Sequence, residues 1–375
     1  MYKDIFTMFG KREKQVDKVN LPVEKTPAQS NSANPDYNHS LQEFLSEYSL
    51  LVPKKAEYTS LKDFDQRIHV LKFDGLMAKK AENRPFNRYN NIYPYDYNRI
   101  VLEKPVAGSD YINGSYITGD KSTLRFNPKS LVSLGDLSDI SQFSNINFMV
   151  TQGPMEKTKE QHWQVVYENE VDVIVMLTKA VEGMKEKCIE YWPSEGPPTC
   201  SGQYDISSKE ENILRPGVMR RDILVMDCES MALYCEQEVA HLQYLDWPDL
   251  GVPKELDHLI KAVQDVRDIV LEKMSSKRKE DKINILVHCS AGVGRTGTFL
   301  ALYKLMEDVD EILKKADSTS STSINIYNTV FALRSKRVEM VQTWEQYKYL
   351  YGSVCIYARQ KKGLPKLEDE SIYVI

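Results

Sequence analysis

The segment that most limits how this chain can fold runs from Ile283 to Leu313, where an apolar run, a glycine-rich turn and a crowded apolar stretch follow one another directly. Ile283-Asn284-Ile285-Leu286-Val287 is short and rich in β-branched residues, which predicts a strand buried on both faces. Asp172 to Leu177 predicts a second strand of the same kind. Between them Leu256, Leu259, Ile260, Val263, Val266, Ile269 and Val270 fall on one helical stripe, and the charged stretch Ser275 to Lys282 reads as a loop. After Gly297, Phe299, Leu300, Leu302, Leu305, Met306, Val309, Ile312 and Leu313 are so crowded that their helix must be buried on most sides. Strand, loop and buried helix in this succession predict an α/β domain.

The rest of the chain fits one such domain. Its 375 residues, 42% hydrophobic and 10% aromatic, can bury a sizeable core. Lys11 to Ser40 is polar, carries Pro22, Pro27 and Pro35, and cannot bury enough apolar surface to order itself, so residues 1–40 are expected to form a flexible arm. Helical spacing starts at Leu41, Phe44 and Leu45 and returns between Leu61 and Leu76. Residues 361–375 turn charged again and read as a short tail, which leaves 41–360 as the expected domain. No internal repeat interrupts it.

With 49 basic and 54 acidic residues the net charge is −5, so no overall positive field draws the chain onto nucleic acid or anionic lipid. An anionic substrate must be met by a local cluster of donors. No apolar run approaches the roughly 18 residues that span a bilayer, and Met1 to Gly10 lacks a signal-peptide core, so a cytoplasmic monomer with no membrane insertion is expected. Cys188, Cys200, Cys228, Cys235, Cys289 and Cys355 show neither CxxC pairing nor metal-ligand spacing and read as free thiols.

One of those thiols stands where strand gives way to helix, in Val287-His288-Cys289-Ser290-Ala291-Gly292-Val293-Gly294-Arg295-Thr296-Gly297-Thr298. Backbone N–H groups and a positive helix end can surround an anion there. Gly292, Gly294 and Gly297 permit tight turning and close approach. Arg295 can grip two phosphate oxygens through its planar fork. Cys289 faces the same positive potential, which favours a thiolate near neutral pH. A plain strand-turn-helix corner would not require a cysteine, five loop residues, an arginine and a hydroxyl in that order, and no Gly-Lys-Ser/Thr closes the loop as nucleotide binding would demand.

This stretch resembles the signature of the cysteine-dependent protein tyrosine phosphatases: His-Cys, five residues, Arg, then Ser or Thr. Asn87-Arg88-Tyr89 with Pro94-Tyr95-Asp96, Asp110 to Ile117, Thr151-Gln152-Gly153-Pro154, Lys187-Cys188 with Tyr191-Trp192-Pro193, Trp247-Pro248-Asp249, and Gln342-Thr343 with Gln346-Tyr347 follow in the family's order. The likeness covers about Phe86 to Tyr351 and is closer to the tyrosine-specific, non-receptor type than to the smaller dual-specificity type. It implies a highly twisted mixed central sheet flanked by helices, phosphotyrosine-containing proteins as partners, a signalling role, and neither metal nor cofactor. It also implies roles. Cys289 would be the nucleophile; Arg295 and the loop Ser290, Ala291, Gly292, Val293 and Gly294 would hold the phosphate; Asp249 would be general acid and then base. Gln342, assisted by Gln346, would orient the attacking water, and Thr296 would donate to the departing sulfur. Glu182 would fix Arg295, while Tyr89 and Asn91 would receive the phosphotyrosine, at a depth phosphoserine cannot reach. His288, beside the nucleophile, reads equally as loop support or as a buried histidine with its bonds satisfied.

Three positions depart from the family's habit. Asn91 stands for a common aspartate, Glu339 for a common glycine at the pocket mouth, and the connection from Tyr116 to Phe148 is longer and rich in Ser and Asn. None removes a catalytic group. A phosphotyrosine-binding pseudophosphatase would lack the acid, nucleophile or arginine, yet Asp249, Cys289 and Arg295 are present. A phosphoinositide phosphatase would favour lysines within the loop, and there are none.

Overall fold

A computed structural model of the chain describes residues 37–45, 53–67, 74–118, 145–194, 196–229, 236–248, 251–278, 281–315 and 323–365. Most of the expected arm, residues 119–144 of the long connection, Cys235, Asp249 and residues 366–375 lie outside the described residues. Residues 37–40 lie within them, and His39 exchanges both backbone hydrogen bonds with Ile324, at 2.9 and 2.8 Å.

Three short helices lead in: α1 (Leu41–Leu45), α2 (Lys55–Arg67) and α3 (Leu76–Lys79). Strands β1 (Arg99–Val106), β2 (Ser109–Tyr116) and β3 (Ile146–Thr151) precede α4 (Lys159–Glu168) and β4 (Val173–Met176). A small hairpin, β5 (Val181–Glu182) and β6 (Lys185–Glu186), is followed by β7 (Thr199–Ser201), β8 (Tyr204–Arg215), β9 (Val218–Asp227) and β10 (Glu236–Tyr244). Then come α5 (Asp257–Ser276), β11 (Ile283–His288), α6 (Gly294–Lys314), α7 (Ile326–Lys336) and α8 (Trp344–Lys361).

The strands form one mixed sheet in the order β1-β2-β3-β11-β4-β10-β9-β8-β7, with β5 and β6 paired separately. Its centre, β3-β11-β4-β10, is parallel, and the outer pairs are antiparallel. The expected strands are therefore the middle of the sheet, and their residues alternate between two cores. Val173, Val175 and Leu177 face the side packed with α5, α6 and α8, together with Ile283, Ile285 and Val287. Ile174, Met176 and Leu286 face the side that holds Trp163, Val165 and Val166 of α4. Burial on both faces explains the uninterrupted apolar runs, each such side chain contributing about 1.5–3 kcal/mol. Helix α6 is buried over most of its length, as its crowding requires, and begins at Gly294 inside the glycine-rich turn rather than after it. Helix α5 runs to Ser276, two residues into the stretch read as loop.

This topology decides where chemistry can occur. The four parallel strands deliver their C-terminal ends to one rim, and from that rim depart the Gln152-Gly153-Pro154 turn, the segment leading to β5, the Trp247-Pro248 loop and the glycine-rich turn itself. Ligands of open α/β sheets gather at the carboxyl ends of such strands.

Candidate active site

Cys289 follows the last residue of β11 and is buried, 4% exposed. The Gly292 N–H donates to its Sγ at 3.2 Å, so the turn aims a backbone donor at the sulfur. Gly292 manages this at φ +72°, with its Cα so close to the end of β3 that a Cβ would stand 2.1 Å from the Thr151 carbonyl oxygen. Only glycine fits both conditions. The carbonyls of Ala291 and Gly292 are drawn away by Arg337, which is fully buried and donates to them at 3.1 and 3.0 Å, and to Asn113 Oδ1 at 2.6 Å. With its carbonyls held outside, the turn keeps its N–H groups for the interior, where the first turn of α6 adds its own unpaired donors. Burial lowers the Arg337 pKa to about 10, which leaves it charged at neutral pH.

Arg295, on that first turn, is anchored on the side of the β5–β6 hairpin. Glu182 takes its two terminal nitrogens at 2.5 and 2.9 Å, Thr178 Oγ1 accepts from it at 3.0 Å, and the Pro248 carbonyl accepts at 2.9 Å. The guanidinium is thus fixed in plane, and the loop that carries Asp249 touches it one residue before the aspartate. Trp247 is buried, donates its indole N–H to Gly251 O at 3.2 Å, and Gly251 adopts φ +103°. Asp249 itself lies outside the described residues.

Tyr89, 37% exposed, shares a 2.9 Å hydrogen bond between its hydroxyl and Ser290 Oγ, and so stands at the opening rather than in the core. Asn91 is exposed on the same segment. Arg88 secures that segment through the carbonyls of Gly153 (3.2 Å) and Pro154 (2.8 Å). Across the opening, a Cβ at Gly294 would lie 3.1 Å from Gln346 Nε2 and 3.3 Å from Gln342 Oε1, so both glutamines reach the mouth of the turn. Val293 accepts from Gly297 N–H at 2.8 Å, which closes the helix start. Thr296 Oγ1 is buried with no hydrogen-bond partner among the described residues, a costly arrangement for a hydroxyl. Of the residues singled out in the sequence, Cys289, Ser290, Ala291, Gly292, Val293, Gly294, Arg295, Thr296, Glu182, Tyr89, Gln342 and Gln346 come together here.

A buried polar chain behind the cysteine had no signature that sequence reading could isolate. Arg221 donates to His241 Nδ1 (3.4 Å), His241 Nε2 meets the Tyr191 hydroxyl (2.8 Å), that hydroxyl meets His288 Nε2 (2.7 Å), and His288 Nδ1 meets Cys289 O (3.2 Å). An arginine only donates and a carbonyl only accepts, so every proton in the chain has one consistent place: on His241 Nε2, on the Tyr191 oxygen and on His288 Nδ1. Both imidazoles are neutral in that assignment, in keeping with burial, which lowers the His288 pKa to about 4 and that of His241 well below the usual range. His288 is thereby a support for the loop's backbone with its bonds satisfied. Among the described residues one group, Glu255, Asp257 and His258, has ligand atoms spaced for a metal ion. None of the three belongs to the turn, and Asp257 already pairs with Lys261 at 2.7 Å.

The family model described as protein-tyrosine phosphatase matches residues 83–355. Receptor-type tyrosine-protein phosphatase eta of Homo sapiens is 33% identical over 315 residues, 82% of this chain and 20% of that protein. Tyrosine-protein phosphatase Lar-like of Caenorhabditis elegans is 35% identical over 275 residues, 72% of this chain and 10% of its own length. Receptor-type tyrosine-protein phosphatase C of Homo sapiens is 30% identical over 288 residues, 76% of this chain and 19% of its own. The chain thus spans about a fifth or less of the length of these relatives.

Proposed function

The chain belongs to the protein-tyrosine phosphatase family, and we propose that it hydrolyses phosphotyrosine on proteins through a phosphocysteine on Cys289. The observation that carries this reading is the Gly292 N–H aimed at the Cys289 sulfur within a turn whose carbonyls Arg337 holds outside. The phosphate would rest on the backbone donors of 290–294, with Arg295 supplying charge. Among the described residues nothing accepts from Arg295 Nε, which stays available to an anion, while Glu182 and the Pro248 carbonyl hold the terminal nitrogens. Attack of the thiolate forms the P–S bond as the P–O bond to tyrosine breaks. Asp249 protonates the leaving oxygen, which makes its expulsion cheap. Water then attacks phosphorus, Asp249 takes its proton, and the P–S electron pair returns to sulfur. Gln342 and Gln346 would orient that water. The unpartnered Thr296 hydroxyl is available to donate to the departing sulfur. Tyr89 would stack on the substrate ring beside Asn91, and the recessed position of Cys289 favours the long phosphotyrosine side chain.

The reading extends to a catalytic domain over 41–360, joined by residues 37–40 through the His39–Ile324 pairing, acting in a reducing compartment. Its support is that the five described cysteines, the nucleophile included, are all free thiols. No described helix is long and apolar enough to cross a membrane. A cytoplasmic, monomeric, non-receptor protein with a signalling role is our proposal, although several relatives are receptor-type by name; the size and membrane fractionation of the native protein test it. The activity is tested by presenting matched phosphotyrosine, phosphothreonine and phosphoinositide substrates in chelator. Turnover of the phosphotyrosine substrate alone is expected, and preference for either other substrate would refute the reading.

A further inference from the structure

We propose that Glu339 is a positioning residue for the hydrolytic step, its carboxylate orienting the Gln342 amide so that the amide oxygen faces the phosphocysteine. The inference rests on the role given to Gln342 above and adds the group that enforces it. Gln342 Nε2 donates to Glu339 Oε2 at 2.7 Å. A carboxylate can only accept, so the amide must present its NH2 to Glu339 and its oxygen to the opposite side. On that side lies the turn, where Gln342 Oε1 is the atom 3.3 Å from a Cβ built on Gly294. The Gln342 backbone N–H is bound in turn by Gln346 Oε1 at 2.9 Å. Side chain and backbone are therefore held by different partners.

Glu339 occupies this place at a conformational cost. It has φ +57°, a region that favours glycine, and Val341, a β-branched residue, has φ +58°. The segment that contains them is held from two directions. The buried Arg334, paired with Asp65 at 2.6 Å, donates to the carbonyls of Met340 (2.9 Å) and Val341 (2.8 Å), while the Val341 N–H reaches Val293 O at 3.2 Å, just before α6. The carboxylate is presented by a rigid segment tied to the turn it serves.

The chemical consequence falls on water. During hydrolysis the water oxygen forms its bond to phosphorus as P–S breaks, one water proton passes to Asp249, and the electron pair of P–S leaves on sulfur. An amide oxygen facing the water accepts its second hydrogen and directs a lone pair at phosphorus. A reversed amide would offer N–H donors that compete for that lone pair. Loss of the Glu339 carboxylate frees the amide to rotate, so water is selected less well against other hydroxyl compounds.

The test uses the full chain, an aryl phosphate and added glycerol, comparing the unmodified protein with Glu339→Gly and Glu339→Gln. The readout is the ratio of aryl alcohol released to inorganic phosphate released. In Glu339→Gly we expect a several-fold larger share of phosphate transferred to glycerol and kcat lowered by up to about tenfold, the scale of one hydrogen bond to a charged group. Its kcat/KM should stay within about twofold, because that parameter ends at P–O cleavage. Glu339→Gln keeps a carbonyl acceptor and should restore most of the partition toward water. An unchanged partition and kcat in Glu339→Gly, or equal losses in kcat and kcat/KM, would overturn the proposal. Absence of aryl alcohol release by the unmodified protein would refute the phosphatase reading itself, and this inference with it.

Discussion

At the residue scale, Gly292 is the position where one missing atom decides whether the turn can exist. Its φ of +72° and the 2.1 Å approach to the Thr151 carbonyl mean that Gly292→Ala must push the turn off the end of β3. The expected outcome is a loss of about 2 kcal/mol or more in stability, from a strained backbone and a clash with rigid main chain. The expected fall in kcat/KM is on the order of 100-fold, because displacement of about 1 Å is enough to spoil the alignment of nucleophile and phosphate. Denaturant melts and steady-state kinetics on the variant check both; wild-type values in each would show that the turn tolerates a side chain. Cys289, Arg295 and this glycine were legible because they sit in consecutive sequence. Arg334 and Arg337 were not. In Arg334-Ser335-Lys336-Arg337 they look like the solvated end of a basic helix, and it is the carbonyls of Ala291, Gly292, Met340 and Val341, with Asp65 and the side chains of Asn113 and Ser115, that account for their burial.

At the scale of elements, the loop after β10 touches Arg295 through the Pro248 carbonyl, one residue before the proposed acid Asp249. Rigid Pro248 and left-handed Gly251 frame Asp249, which suits a segment that moves as a unit. Asp249→Ala is expected to lower kcat by roughly 100- to 10,000-fold, the usual worth of a positioned general acid, without weakening substrate binding. Across a series of aryl phosphates its rate should depend more steeply on the acidity of the leaving phenol than that of the unmodified protein. An unchanged dependence would remove Asp249 from the mechanism. The strands β4 and β11 and the helices α5 and α6 could be read from apolar periodicity, since each is either buried on both faces or striped. The start of α6 at Gly294 could not, because the glycines that signal a turn here also line the first turn of a helix.

At the scale of the whole molecule, the interior carries a buried polar chain that reaches the cysteine's backbone through His288. His162, His241 and His288 are buried and held neutral, burial being the largest cause for each; His288 is lowered to about 4, and the other two well below their ordinary value. A depressed histidine adds stability above its unfolded pKa near 6.5 and loses it as pH falls, because the unfolded chain then binds protons that the folded one refuses. The three histidines should therefore make stability decline as pH drops from about 6.5 toward 4, each adding a slope of up to about 1.4 kcal/mol per pH unit, while the Asp65 and Glu307 carboxyls, which burial raises to about 6 and about 7, act in the opposite direction. NMR titration of the histidine ring protons separates the two, and any of these three imidazoles titrating near 6.5 in the folded protein would contradict the neutral assignment. The sheet order around this interior was not legible. The parallel pairing of β3 with β11 and of β10 with β4 joins strands far apart in sequence, and local periodicity carries no information about such partners.

The central claim is that the phosphate leaves tyrosine by way of the Cys289 sulfur. Rapid acid quench of the protein with a radiolabelled phosphotyrosyl peptide, followed by peptide mapping, tests it most directly. The account predicts label trapped on the peptide that contains Cys289, released with the kinetics of turnover, and no label or turnover in a folded Cys289→Ser protein, because a serine hydroxyl is not ionised near neutral pH. Phosphate released in burst-free turnover with no trapped label, or appreciable activity in Cys289→Ser, would contradict it.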